Sequence, residues 1–201
     1  MSEDNFITVS HPSLGVYKAK GSKFNAYLFP AKTQESFRAQ LDLVKANEPN
    51  ARHYCWAFRM GPEELVERSN DDGEPANTAG APILRALQSA NLVDVACVVV
   101  RYFGGIKLGV PGLIQAYGSA AKEAIIENSP RIETVTRDIA LKFDYSELSF
   151  VERVIRELNL ETIQREQQAR LRYVVRVEKS KLNETIQHFE KNHLLSVNAL
   201  K

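Results

Sequence analysis

VDVACVVVRYFGGIKLGVPGLIQAYGSAA, residues 93–121, is the stretch that decides the architecture. Val95 to Val100 is apolar at both alternating parities, the pattern of a strand covered on both faces. The run is far too short to span a membrane. It leads into a loop in which Gly104, Gly105, Gly109 and Gly112 alternate with Ile106, Lys107 and Leu108. Beyond the loop, Leu113, Ala116, Tyr117, Ala120, Ala121, Ala124 and Ile125 recur at helical spacing and predict a long helix beginning near Gly112. Gly118 inside it costs about 1 kcal/mol relative to alanine, so a closely approaching backbone is expected there. The unit is therefore strand, glycine-rich loop, helix.

Working outward toward the start of the chain, Leu14, Val16, Phe24, Tyr27 and Phe29 predict two strands joined at Gly21-Ser22. Thr33 offers an N-cap to a helix reaching about Ala46, with Phe37, Leu41 and Val44 on one face. His53 to Met60 alternates as a strand. A polar stretch follows and ends in Asp71-Asp72-Gly73-Glu74-Pro75, after which a helix starts near Thr78 and carries Ile83, Leu84 and Leu87. Toward the other end the composition changes after Asn128-Ser129-Pro130. Five of the ten glycines lie between Gly104 and Gly118 and none follows, which puts a domain boundary at about residue 133. Residues 134–201 read β-α-β-β-α-β, the split βαβ order of ferredoxin-like domains. Ser149 and Glu152 have the spacing of a capping box, a polar strand runs from Glu161 to about Gln168, and a last strand spans Leu194 to Leu200.

Composition narrows the function classes. At 44% hydrophobic and 25% charged residues the chain is built to bury a core, and a formal net charge of +1 gives no global attraction to nucleic acid or membrane. Any basic surface must be local. Cys55 and Cys97 sit in apolar runs outside any CxxC pair, as reduced structural thiols of a cytoplasmic protein do. The opening residues MSEDNFITVSH lack the basic and apolar regions of a signal peptide. Neither a Walker pattern nor GxGxxG occurs, so no nucleotide cofactor is expected.

Three segments could carry chemistry. In the first, Arg101, Tyr102 and Lys107 flank Gly104-Gly105. A glycine-rich turn before a helix can offer amide hydrogens to an anion, with Arg101 and Lys107 adding charge and Tyr102 a stacking face. The same glycines also suit a tight turn and close packing, with Tyr102 and Phe103 in the core. In the second, Asp71, Asp72 and Glu74 could close a turn and pair with Arg68 or Arg101, meet a partner, or take a hard cation. In the third, His53 and Cys55 share a strand parity beside Arg52, which leaves a metal-dependent hydrolase using Asp71, Asp72, Glu74 and His53 as the enzymatic alternative. Arg170, Arg172 and Arg176 share a further face near Lys142, Asp144 and Glu178, open to phosphate, protein or solvent.

RSNDDGEPANTAGAPIL (68–84), VVVRYFGGIKLGVPGLIQAYGSAA (98–121) and, more weakly, ARHYCWAF (51–58) together resemble the signature of the Impact family: a DDGEP turn, a TAG-P-IL helix start and an RYFGGIKLG loop. The likeness spans most of residues 18–125. It implies an α+β chain with an N-terminal domain, 1–133, of the fold of ribosomal protein S5 domain 2 and elongation factor G domain IV. It also implies a ferredoxin-like C-terminal domain, 134–201, akin to elongation factor G domain V. Eukaryotic members act in translational control by contacting a regulator of an initiation-factor kinase. The implied role is a non-enzymatic, translation-associated binding protein without cofactor or metal, contacting structured RNA, the ribosome or a translation regulator, with no DNA sequence specificity and no membrane. Purely protein–protein recognition is the other non-enzymatic reading. The chain departs from the family at Gly109-Val110-Pro111-Gly112, where members carry Gly-Thr-Gly-Gly. Proline fits the first helical turn, where a missing N–H is no loss.

Overall fold

The computed structural model describes residues 3–167 and 170–200. In chain order it contains β1 (Asn5–Thr8), β2 (Ser13–Ala19), β3 (Ser22–Pro30), α1 (Gln34–Asn47), β4 (His53–Met60), β5 (Val66–Asn70), α2 (Gly80–Ser89), β6 (Val95–Tyr102) and α3 (Gly109–Ile126). There follow β7 (Arg131–Thr134), β8 (Thr136–Phe143), α4 (Leu148–Glu157), β9 (Glu161–Gln167), β10 (Leu171–Glu178), α5 (Leu182–Glu190) and β11 (Ser196–Ala199). The chain divides into two units, Phe6–Glu133 and, together, Met1–Asn5 with Thr134–Lys201. It is a mixed α/β protein. A short ribbon pairs β1 with β7.

In the larger unit five antiparallel strands lie in the order β2-β3-β6-β4-β5. β6 occupies the centre, which is why it is apolar at both parities. Val95, Cys97 and Val99 enter a core shared with α2 and α3, while Ala96, Val98 and Val100 meet Phe37 and Val44 of α1 on the other face. Thr33 caps α1 as its spacing predicts: its hydroxyl accepts from the Ser36 amide at 3.1 Å. The β2–β3 turn falls one residue earlier than expected, at Lys20-Gly21. Both residues have positive φ (46° and 79°), the geometry of a type I′ hairpin turn. The polar stretch before Asp71 contains a strand that sequence reading passed over. β5 is an edge strand with Val66 exposed and no apolar alternation to announce it.

α3 begins at Gly109, earlier than predicted, with Pro111 in its first turn. The close backbone approach foreseen at Gly118 occurs at Gly15 instead. A Cβ on Gly118 would meet Pro82 at an ordinary 3.7 Å, whereas one on Gly15 would lie 2.2 Å from the Ala124 amide nitrogen. β2 therefore rests directly on the backbone of α3.

In the smaller unit β8, β9, β10 and β11 form an antiparallel sheet in the order β11-β8-β10-β9. Ile139, Leu141, Phe143, Leu171, Tyr173, Val175 and Val177 pack against Val151, Ile155 and Phe189 of the two helices. The expected capping box does not form. A 3₁₀ turn at Tyr145–Glu147 makes the chain helical before Ser149 is reached, so Ser149 lies inside α4 and Glu147 stands at the cap position without a side-chain capping bond. β9 ends at Gln167, and Gln168 falls outside the described residues. The last strand is shorter than predicted, Ser196–Ala199.

Candidate functional site

Four connections meet at one end of the five-stranded sheet: the β2–β3 hairpin tip, the α1–β4 segment, the β5–α2 turn and the glycine-rich β6–α3 loop. Antiparallel pairing brings them together, because β6 ends where β3 and β4 begin; Lys23 faces Tyr102 and His53 faces Arg101 in register. Between them lies a cleft of about 680 Å³, lined among others by Arg52, His53, Tyr102, Phe103, Lys107 and Val110. Arg101 and Glu74 also face it.

The glycine loop is anchored at its first residue. A Cβ on Gly104 would lie 1.9 Å from the carbonyl carbon of Gly21, so the hairpin tip and the loop touch backbone to backbone. The Gly104 amide donates to the Ser22 hydroxyl at 3.1 Å. Gly105, at φ 88°, has nothing near its missing side chain. From this anchor the loop holds Lys107 exposed, and Phe103, Ile106 and Val110 stay more than half exposed. Phe103 is therefore a surface ring rather than a core residue.

Arg101 is not a free cation. Its side chain is 9% exposed and its Nη1 donates to Glu74 Oε1 at 2.6 Å; the Glu74 side chain is 4% exposed. The guanidinium lies over the rings of both Phe24 and Phe103, 5.7 and 5.5 Å from their centroids, and Nε is buried without a partner. Tyr117 of α3 donates its hydroxyl to the same Glu74 oxygen at 2.8 Å. Burial pushes the Tyr117 phenol far up, so it stays a donor.

The three carboxylates of the acidic turn separate to three tasks. Asp71 accepts from the amides of Asn77, Ala79 and Gly80 at 2.8, 3.0 and 2.8 Å, closing the N-terminus of α2. Asp72 accepts from the Tyr54 amide at 2.7 Å and fixes the turn to β4. Glu74 alone reaches the cleft. Among the described residues no three His, Cys, Asp or Glu gather as a metal site would require. His53 touches the same turn. Its Nδ1 lies 2.8 Å from the Asp72 carbonyl. A carbonyl only accepts, so Nδ1 carries the proton. Cys55 donates its thiol to the Asp71 carbonyl at 2.9 Å, and burial pushes that thiol up to about 12, which leaves no thiolate for catalysis.

Sequence reasoning missed the support beneath Tyr102. The Tyr102 hydroxyl donates to Glu48 Oε2 at 2.5 Å, and Tyr27 and Asn25 donate to Glu48 Oε1, Asn25 at 2.8 Å. Burial opposes the Glu48 charge, yet the hydroxyls of Tyr102 and Tyr27 and the Asn25 amide outweigh it and hold the carboxyl below its usual range. The bond to Glu48 in turn raises Tyr102 to about 12. A lone Glu after a helix gives no hint of this. The sign of the resulting pH dependence follows from linkage. A depressed folded-state value adds stability that is complete above the ordinary carboxylate range and is lost as pH falls through the folded value. Urea unfolding should accordingly show the stability gap between the wild type and Glu48→Gln narrowing on acidification. A gap independent of pH would deny Glu48 its charge.

The remaining sequence candidates lie elsewhere. Arg68 stands on β5 in register with Phe58, exposed and outside the cleft lining. In the smaller unit the three candidate arginines are each paired: Arg170 with Asp144 at 3.0 Å, Arg172 with Glu166 at 3.2 Å, and Arg176 with both oxygens of Asp138 at 2.9 and 3.1 Å.

This geometry belongs to the segments with the strongest resemblance, and comparison with known proteins bears on the same residues. Residues 20–125, from the β2–β3 turn through most of α3, match the model of the Impact N-terminal domain. The chain belongs to the Impact family. An Impact family member of Haemophilus influenzae is 38% identical over 78% of this chain and 77% of its own length. The Impact family member YigZ of Escherichia coli is 32% identical over 83% and 82%. A crystal structure described as a hypothetical protein superposes with a TM-score of 0.72 at 29% identity, covering 98% of each chain. All the cleft residues named above fall within the family match. Among the described residues no helix is long and apolar enough to cross a membrane.

Proposed function

We propose that this Impact family chain is a non-enzymatic, cytoplasmic binding protein of the translation system that holds an unpaired stretch of structured RNA in the cleft beside its glycine-rich loop. The family resemblance supports the association with translation. The order β8-α4-β9-β10-α5-β11, with the sheet order β11-β8-β10-β9, supports reading residues 134–201 as ferredoxin-like. Residues 1–133 are taken, from the resemblance, as related to ribosomal protein S5 domain 2.

One observation carries the ligand class. The cleft joins two cations that form no ion pair among the described residues, Arg52 and Lys107, to an exposed aromatic ring, Phe103. Ammonium and guanidinium groups neutralise phosphates, and a ring of that exposure gives a base a stacking face, a combination tolerant of sequence. Arg101 has a different task here: it secures the acidic turn that forms the opposite wall.

Fluorescence anisotropy with a labelled single-stranded RNA across a salt series tests the reading. Binding should weaken with salt, and Lys107→Ala and Arg52→Ala should each flatten the log–log slope by about 0.7, the single-strand value for one phosphate contact. RNA binding indifferent to salt and to both substitutions would sink the proposal and favour a protein partner for the exposed Phe103, Ile106 and Val110.

A further inference from the structure

The β2–β3 hairpin carries a charge arrangement that folding alone does not favour. Lys18 and Lys23 are direct cross-strand partners, and like charges placed directly opposite destabilise a sheet. Lys20 adds a third cation at the turn, and all three are exposed. None of them forms an ion pair among the described residues. Lys23 does lie close enough to Glu48 to help keep it charged, but that carboxylate is occupied by two tyrosine hydroxyls and an amide.

Position gives the lysines a use. Lys23 is also the register partner of Tyr102, which lines the cleft, so Lys18, Lys23 and Tyr102 follow one another across three strands on one face. The hairpin tip is fixed against the glycine loop through Gly21 and Gly104. The acids at this end, Asp71, Asp72, Glu74 and Glu48, are all engaged in internal hydrogen bonds. The hairpin lysines thus stand beside the loop that carries the exposed Lys107.

We propose that the Lys18–Lys23 hairpin is a second phosphate-contact site, so that the partner is an RNA strand running from the cleft across the hairpin and not a single nucleotide. Interstrand steps of about 4.8 Å put Lys18 two steps, roughly 10 Å, from Tyr102, beyond the reach of one nucleotide held at the cleft. This inference rests on the RNA reading of the cleft and deepens it.

The experiment compares uridine monophosphate with a uridine dodecamer on the full chain and on the double variant Lys18→Gln/Lys23→Gln, whose substitutions relieve a like-charge pair and should leave folding intact by circular dichroism. In the wild type the dodecamer should bind far more tightly than the monophosphate. In the variant that gain should largely vanish and the salt slope for the dodecamer should fall by about 1.4, two single-strand phosphates, while monophosphate binding falls much less, because Lys18 lies out of its reach. Dodecamer binding that needs Lys107 but ignores the double substitution would overturn this inference and leave the cleft reading standing. No binding of either RNA would remove both. Displacement of the dodecamer by polyglutamate as readily as by unlabelled RNA would assign the surface to an acidic protein instead and refute the RNA strand.

Discussion

Glu74→Ala should cost about 3–5 kcal/mol of folding stability, the penalty for leaving a buried cation without its partner. For a unit of this size that corresponds to a fall in Tm of roughly 10–20 °C. The side chains of Arg101 and Glu74 are 9% and 4% exposed, so water cannot take over the lost interaction, and Arg101 already has a buried Nε without a partner. Tyr117 would lose its acceptor at the same time. The control is the double variant Glu74→Leu/Arg101→Met. Replacing both charges with apolar groups of similar volume is often near neutral, so most of the stability should return. If Glu74→Ala costs less than about 1 kcal/mol by urea unfolding, the pair behaves as an exposed salt bridge and the acidic turn is held by Asp71 and Asp72 alone.

Gly15→Ala should destabilise by at least about 3 kcal/mol, at the upper end of overpacking costs. The added methyl would lie 2.2 Å from the amide nitrogen of Ala124, 2.7 Å from the carbonyl carbon of Glu123 and 2.8 Å from the carbonyl oxygen of Ala120. These are backbone atoms of α3, and no side-chain rotation relieves the overlap. Gly118→Ala has the opposite sign. Its methyl would meet Pro82 at 3.7 and 3.9 Å, and the better helix propensity of alanine should add up to about 1 kcal/mol. Paired urea denaturation curves separate the two. A tolerated Gly15→Ala would mean that β2 does not rest on α3.

These substitutions mark where the sequence was readable. The central strand, the glycine loop and the long helix follow from Val95–Val100 and from the alanine-rich spacing after Gly112, because burial on both faces and helical periodicity leave direct traces. β5 left none, since an exposed edge strand has no face to bury and VERSN has no alternation. Ser149 and Glu152 misled for a related reason: the motif records a local preference, and the 3₁₀ turn at Tyr145–Glu147 had already started the helix. In the site, residue types were legible but their engagement was not. Arg101 and Lys107 look alike in the loop, yet β6 register buries the first against Glu74 while the second remains exposed. Arg172 and Arg176 read as an open cationic face, but pairing with Glu166 and Asp138 depends on strand register between β8, β9 and β10, which a single sequence does not give. The Glu48 cluster draws Tyr102 from β6 and both Tyr27 and Asn25 from β3, and could be found only in three dimensions.

Asp4 lies far from residues 134–201 in sequence but belongs to the same unit. Its carboxylate accepts from the Ser180 amide at 2.8 Å, and its carbonyl accepts from the Val135 amide at 2.9 Å. The smaller unit is thus discontinuous, stitched shut by a strap from the opposite end of the polypeptide. Expressed from Thr134 onward, it would lack that strap, and a short peptide carrying Asp4 becomes the natural piece for split-protein complementation.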